Sequence, residues 1–259
     1  MPSSPPLIFT DHGQNPPTHR INLSYPASTR YATLATAYRP QLLSIKSLFD
    51  DLVLSLFPPY YLPRIKWLAR HLLRHVYDEE ENAEIHGIAE ATGIEVYLVV
   101  ALNVLLDLLM GCTSGAALSS SAESQERHDA GNRMLHFRTL DWDMPALRHL
   151  LLKLDFVADD SPNSPVLAPS ITYVGFVGVL TGVRRGLSVS LNFRPNHDAS
   201  SWVKQVKYYG GHLVILLGWK RSISSVLREL IIPRPNSSPE EVKEGQGWLA
   251  RLFRWKKQP

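Results

Sequence analysis

Apolar residues recur at helical spacing through most of the first 110 positions, then break into short β-branched runs separated by glycine and proline. Before the helical part, the alternation over residues 21–25 predicts a half-buried strand that Pro26 ends. Residues 28–56 read as helix, with Tyr31, Leu34 and Ala35 followed by Leu42, Leu43, Ile45, Leu48 and Phe49 on one side. Pro40 should divide this stretch in two, because proline supplies no backbone N–H. A further helix over 62–76 places Ile65, Leu68, Leu72, Leu73 and Val76 on one face, with Arg64, Lys66, Arg70 and Arg74 mostly turned away. The acidic run 78–81 precedes a helix over 82–92, where it complements the N-terminal dipole, and Gly93 reads as its C-cap. Residues 96–110 are apolar almost all round and predict a buried helix.

The texture changes at Gly111-Cys112-Thr113-Ser114. Small and polar residues follow to Asn132, with no element expected between 119 and 131. Strands are expected over 134–140, 150–156, 171–180 and 187–193, joined by turns at Thr181-Gly182 and Arg185-Gly186. Residues 204–217 suit either strand or helix, and 222–232 read as a helix stopped by Pro233. The chain therefore divides into a proline-rich leader (1–20), a helical segment (21–111), a β-rich segment (112–232) and a basic tail (233–259) with a short amphipathic stretch around Trp248 and Trp255.

Composition narrows the function classes. With 44% apolar residues the chain can bury a substantial core, and a net charge of +3 is too small a field to point to nucleic acid. The basic clusters at residues 64–74 and 251–257 read as solvated faces, with contact to an anionic membrane surface as their functional alternative. Cys112 is the single cysteine, so no intramolecular disulfide can form. The first twenty residues hold no apolar signal core, and 96–110 is too short to span a bilayer and contains Asn103 and Asp107. The expected location is intracellular, in the cytoplasm or a vacuole- or lysosome-like compartment. Glu84, His136 and Asp143 have no compact metal-ligand spacing, and no phosphate loop, dinucleotide fingerprint or serine elbow is present, so no metal or cofactor is expected.

At the helix-to-strand border, Met110-Gly-Cys112-Thr-Ser114 followed by His136-Phe-Arg138-Thr-Leu-Asp141 resembles the acid ceramidase and N-acylethanolamine acid amidase family. Three further stretches carry the resemblance: Glu84-Ile-His-Gly-Ile-Ala with Thr92-Gly93-Ile94, the glycine-punctuated run from Tyr173 to Gly186, and Ser190-Leu-Asn192-Phe-Arg194. The resemblance covers about residues 21–232, in the family's order. It implies an α+β fold, an N-terminal-nucleophile αββα sandwich preceded by a helical α-subunit-like segment. It also implies self-cleavage between Gly111 and Cys112, and hydrolysis of the amide of ceramide, an N-acylethanolamine or a related lipid. By that resemblance Cys112 is the nucleophile, Arg138 and Asp141 its catalytic partners, and Asn192 and Arg194 line the pocket.

Elementary chemistry suits these assignments. A cysteine freed at its own nitrogen carries an α-amine of ordinary pKa about 7.7–8.0 that can accept the thiol proton. Asn192 and Arg194, two residues apart, should share one strand face, whereas Arg138 and Asp141 need a strand end or bulge near Leu140 to reach one site. Three departures stand out, the first a stretch between Cys112 and Arg138 longer than the family's, with an inserted polar loop over 119–131. Phe193 occupies a position where the family usually has an acid, and residues 233–259 contain no counterpart of its Gly-Gly-Asn-like oxyanion loop. An incomplete sandwich is thus expected, and the alternative function is a catalytically inactive relative that binds lipid or a partner chain.

Overall fold

A computed structural model describes residues 15–109, 112–119, 133–140, 145–192 and 200–232. Strand β1 (Thr18–Asn22) opens it, three residues earlier than the alternation predicts and inside the expected leader. Pairing decides the boundary: residues 18–22 lie in parallel register with 153–157. The stretch expected to be two helices is three, α1 (Ala32–Ala37), α2 (Arg39–Leu43) and α3 (Ile45–Leu56). Pro40 sits in the first turn of α2, where its missing N–H costs no helical bond.

A 3-10 turn (Pro59–Tyr61) leads into α4 (Leu62–Leu72), which stops four residues short of Val76. Ala69 and Leu73 are buried there while Leu68 and Leu72 are exposed, so the buried face is rotated from the expected one. Helix α5 (Glu79–Thr92) incorporates the acidic run in its first turn. Asp78 caps it, its carboxylate accepting from the amides of Glu80 at 3.1 Å and Glu81 at 3.2 Å, and Gly93 closes it in the left-handed conformation. Gly87 on α5 lets that helix press onto the chain before α1, since a Cβ there would lie 1.9 Å from the Ser28 carbonyl oxygen.

Helix α6 (Val96–Leu109) is buried on all sides from Tyr97 to Val104, as its composition predicts. Strands β2 (Cys112–Ser119) and β3 (Arg133–Leu140) then form an antiparallel pair, with Cys112 opposite Leu140 and Ser114 opposite Arg138. After a short α7 (Pro145–Arg148) come β4 (Leu151–Val157), β5 (Val166–Tyr173), β6 (Thr181–Arg184) and β7 (Leu187–Ser190). With β1 they make a five-stranded sheet in the order β1-β4-β5-β6-β7, antiparallel except for β1. The strand expected over 171–180 ends at Tyr173, and Thr181-Gly182 begins a strand instead of turning one. The ambiguous stretch becomes α8 (Trp202–Leu216), and α9 (Ile223–Ile231) follows with Ser222 as cap.

Along β4, Leu152, Leu154 and Phe156 are buried in one core with helical residues such as Leu42, Ile85 and Val99. The alternate residues, Leu151, Lys153 and Asp155, occupy the outer face with Ile171 and Val183, both exposed. The hairpin β2–β3 lies over that face at the β7 edge. His136 of β3 hydrogen-bonds through one ring nitrogen to Ser188 Oγ and through the other to Ser190 Oγ, 3.1 Å away. Helices, the five-stranded sheet and the hairpin therefore stack as layers of an α+β fold.

Between β5 and β6 the backbone leaves the sheet, and Asn103 in the middle of α6 holds it. Its Nδ2 donates to the Gly175 carbonyl at 2.8 Å and to Val99 O at 2.9 Å, and its Oδ1 accepts from Val177 N at 2.8 Å. Gly175 has φ +86°, a conformation few other residues adopt. Among the described residues no helix is long and apolar enough to cross a membrane. The leader to residue 14 and the tail from 233 lie outside the described residues.

Candidate active site

Register builds the site. In the hairpin, Cys112, Ser114, His136 and Arg138 share one face, because 112 pairs with 140 and 114 with 138. His136 shows which way that face looks, since it rests on the outer-face serines of β7. The Cys112 thiol and the Arg138 guanidinium are thus set between hairpin and sheet. Cys112 is partly buried and packed against the core.

Arg138 is fixed at two points. Its Nε donates to the Leu191 carbonyl at 3.0 Å and its Nη2 to Cys112 Sγ at 3.0 Å. Leu191 is itself tied down, its amide donating to Leu180 O at 2.7 Å. The planar fork is suited to this, with one donor engaging the backbone while another meets the sulfur. Asn192 stands just past β7, and its Nδ2 donates to the hydroxyl of Ser114, two residues from Cys112. The spacing of Asn192 and Arg194 predicts that they share one strand face. The strand ends at Ser190, because there its pairing with β6 runs out. Gly111, Asp141 and Arg194 lie outside the described residues, as does Asp143.

Tyr173 is not among the residues that the sequence sets beside Cys112. It ends β5 on the outer face, in line with exposed Ile171, yet it is only 6% exposed. Burial pushes its hydroxyl up to about 12; the charge of Arg138 pulls the other way and Cys112 adds to the rise. The tyrosine therefore lies within electrostatic reach of both site residues and keeps its proton at any physiological pH. A tyrosine in an apolar run reads as core or as lining of an acyl-chain groove, and the strand pairing that sets it near the charges of Cys112 and Arg138 is not written near it in the sequence. Its one sequence signal is its place at the head of the glycine-punctuated stretch 173–186.

Two other chemically suggestive residues have structural partners. Both His136 nitrogens are engaged by serines. Glu84 is completely buried and gripped by Arg228, whose Nη2 donates to Oε1 at 2.7 Å, and by Arg30 at 2.9 Å. Among the described residues no group of three or more His, Cys, Asp or Glu is placed to hold a metal ion.

A family model for the β subunit of N-acylethanolamine-hydrolyzing acid amidase matches residues 14–77. N-acylethanolamine-hydrolyzing acid amidase of Caenorhabditis elegans is 28% identical over 200 residues, covering 73% of this chain and 51% of that protein. Acid ceramidase of Mus musculus is 28% identical over 193 residues, covering 69% of this chain and 45% of that protein. Acid ceramidase of Bos taurus is 28% identical over 192 residues, with 70% and 46% covered. The chain spans about half the length of the curated relatives it matches. On these matches and the α+β fold, the chain is similar to members of the acid ceramidase and N-acylethanolamine acid amidase family.

Proposed function

We propose that this chain hydrolyses the N-acyl bond of a lipid amide, ceramide or an N-acylethanolamine, with Cys112 as nucleophile. One observation carries the reading: a guanidinium anchored to backbone donates to the sulfur of the single cysteine, between two β layers. A cation so placed can meet the negative charge that develops when the sulfur attacks a carbonyl. The names of the relatives supply the substrate class.

In this scheme cleavage of the Gly111–Cys112 bond frees an α-amine on Cys112, which takes the thiol proton. The thiolate attacks the amide carbonyl, forming a C–S bond. The C–N bond then breaks and the amine leaves with the proton. Water attacks the thioester, releasing the fatty acid and restoring the thiol. Arg138 stabilises the sulfur anion or orients the carbonyl, Asp141 holds the α-amine, and Asn192 and Arg194 line the pocket. These last roles come from the family resemblance.

The same reading includes contact with a lipid surface. On α8, Trp202, Val206, Tyr209 and Leu213 are exposed at spacings of four, three and four, forming one apolar stripe beside Lys204 and Lys207.

The test is release of fatty acid from ceramide and from N-acylethanolamine by purified protein. Turnover that Cys112→Ser abolishes supports the proposal. An inert protein whose Cys112 is still readily alkylated would favour the non-catalytic, lipid-binding alternative.

A further inference from the structure

We propose that Glu81, enclosed between α5 and α9, is a proton-binding site whose occupancy decides how firmly α9 is held on the molecule. The proposal does not rest on the hydrolase reading. Glu81 lies one turn before Glu84 on α5 and is 6% exposed. It lines a small pocket with Asn103 from α6, Ile215 from α8, and Lys220, Ser224 and Ser225 from α9 and its approach. Ser225, in the first turn of α9, is its side-chain neighbour.

The surrounding charges are largely committed elsewhere. Arg228 of α9 holds both oxygens of Glu84 and donates to Val177 O at 2.7 Å. Arg30 pairs with Glu84 and Glu80, and Arg221 pairs with Asp78 and Glu229. Lys220 lines the pocket, and the buried Tyr31 faces the same cluster. The pocket residues from α6 and α8 bring no charge. An ionised Glu81 would thus join Asp78, Glu80 and Glu84 where the arginines are already engaged. Burial pushes the Glu81 carboxyl up to about 7; Arg228 pulls it down, and Asp78 and Glu84 add to the rise.

The sign follows from proton counting. From the ordinary value of 4.5 up to about 7 the folded chain holds a proton that the unfolded chain has released. Stability therefore falls as pH rises through that window, by up to about tenfold in the folding constant per pH unit. The contribution is complete below 4.5 and gone above about 7. Helix α9 bears the change because it forms one wall of the pocket. Through Arg228 it also steadies the loop at Val177 that Asn103 holds from the other side.

Thermal unfolding of the full chain from pH 5 to 8, beside Glu81→Gln, tests this. The wild type should lose stability as pH rises, while the glutamine variant, which keeps the neutral shape, should show a flatter profile and exceed wild type at pH 8. Equal slopes, or a glutamine variant weaker than wild type at pH 8, would overturn the proposal. Should Glu81→Gln not fold, amide exchange in wild type decides. After correction for intrinsic rates, residues 223–231 should be less protected at pH 8 than at pH 5.5, and equal protection would overturn it.

Discussion

Arg138 spends two of its donors on two different jobs, one on the Leu191 carbonyl and one on the Cys112 sulfur. Removing it should leave the hairpin intact, because eight residue pairs hold β2 to β3. Arg138→Ala is expected to slow lipid-amide turnover by about tenfold or more while the melting temperature stays nearly unchanged. An unchanged rate would show that the guanidinium does not serve the sulfur. Tyr173→Phe deletes a buried hydroxyl within reach of both groups while keeping the ring. It should leave the melting temperature nearly unchanged and reduce lipid-amide turnover through kcat rather than KM, by about tenfold or more if the hydroxyl donates to the reacting carbonyl. Of these residues, Cys112 and Arg138 stand out as candidates in the sequence because each lies in a short motif that carries the resemblance. Tyr173 does not, because its importance comes from register across strands, which local sequence does not encode.

At the scale of elements, the legible parts are those with strong local chemistry. Helix α5 announces itself through Asp78 and its acidic first turn at one end and Gly93 at the other, and α6 through apolar residues on nearly every side. Strand β2 was not foreseen: Cys-Thr-Ser-Gly-Ala-Ala has little intrinsic strand preference, and pairing with β3 decides its form. The strand expected over 171–180 is cut at Tyr173 because Asn103 takes Gly175 and Val177 as its partners. That explains a polar residue in the middle of a mostly apolar helix. Asn103→Leu should therefore cost about 3 kcal/mol, since it strands two buried backbone groups, and chemical denaturation would measure it. Gly87→Ala should cost about 1–3 kcal/mol, because its methyl would meet the Ser28 carbonyl; a neutral substitution would mean that α5 is free to shift.

At the scale of the molecule, helices cover one face of a five-stranded sheet and a two-stranded hairpin covers one edge of the other. The α+β class could be read from the switch in periodicity at Cys112. The insertion of β1 beside β4 could not, because it joins residues more than 130 positions apart and no local signal sets such a pairing. The layering places the nucleophile candidate at the start of a strand, in the cleft between hairpin and sheet, where a freed α-amine would sit beside its own thiol. We propose that this arrangement assembles a self-processing cysteine. The intact mass of purified protein, beside Cys112→Ala, tests it most directly. Two fragments meeting at Gly111–Cys112 in the wild type and none in the variant is the predicted result. A wild type that stays whole while it is folded, with Cys112 open to alkylation, would contradict it.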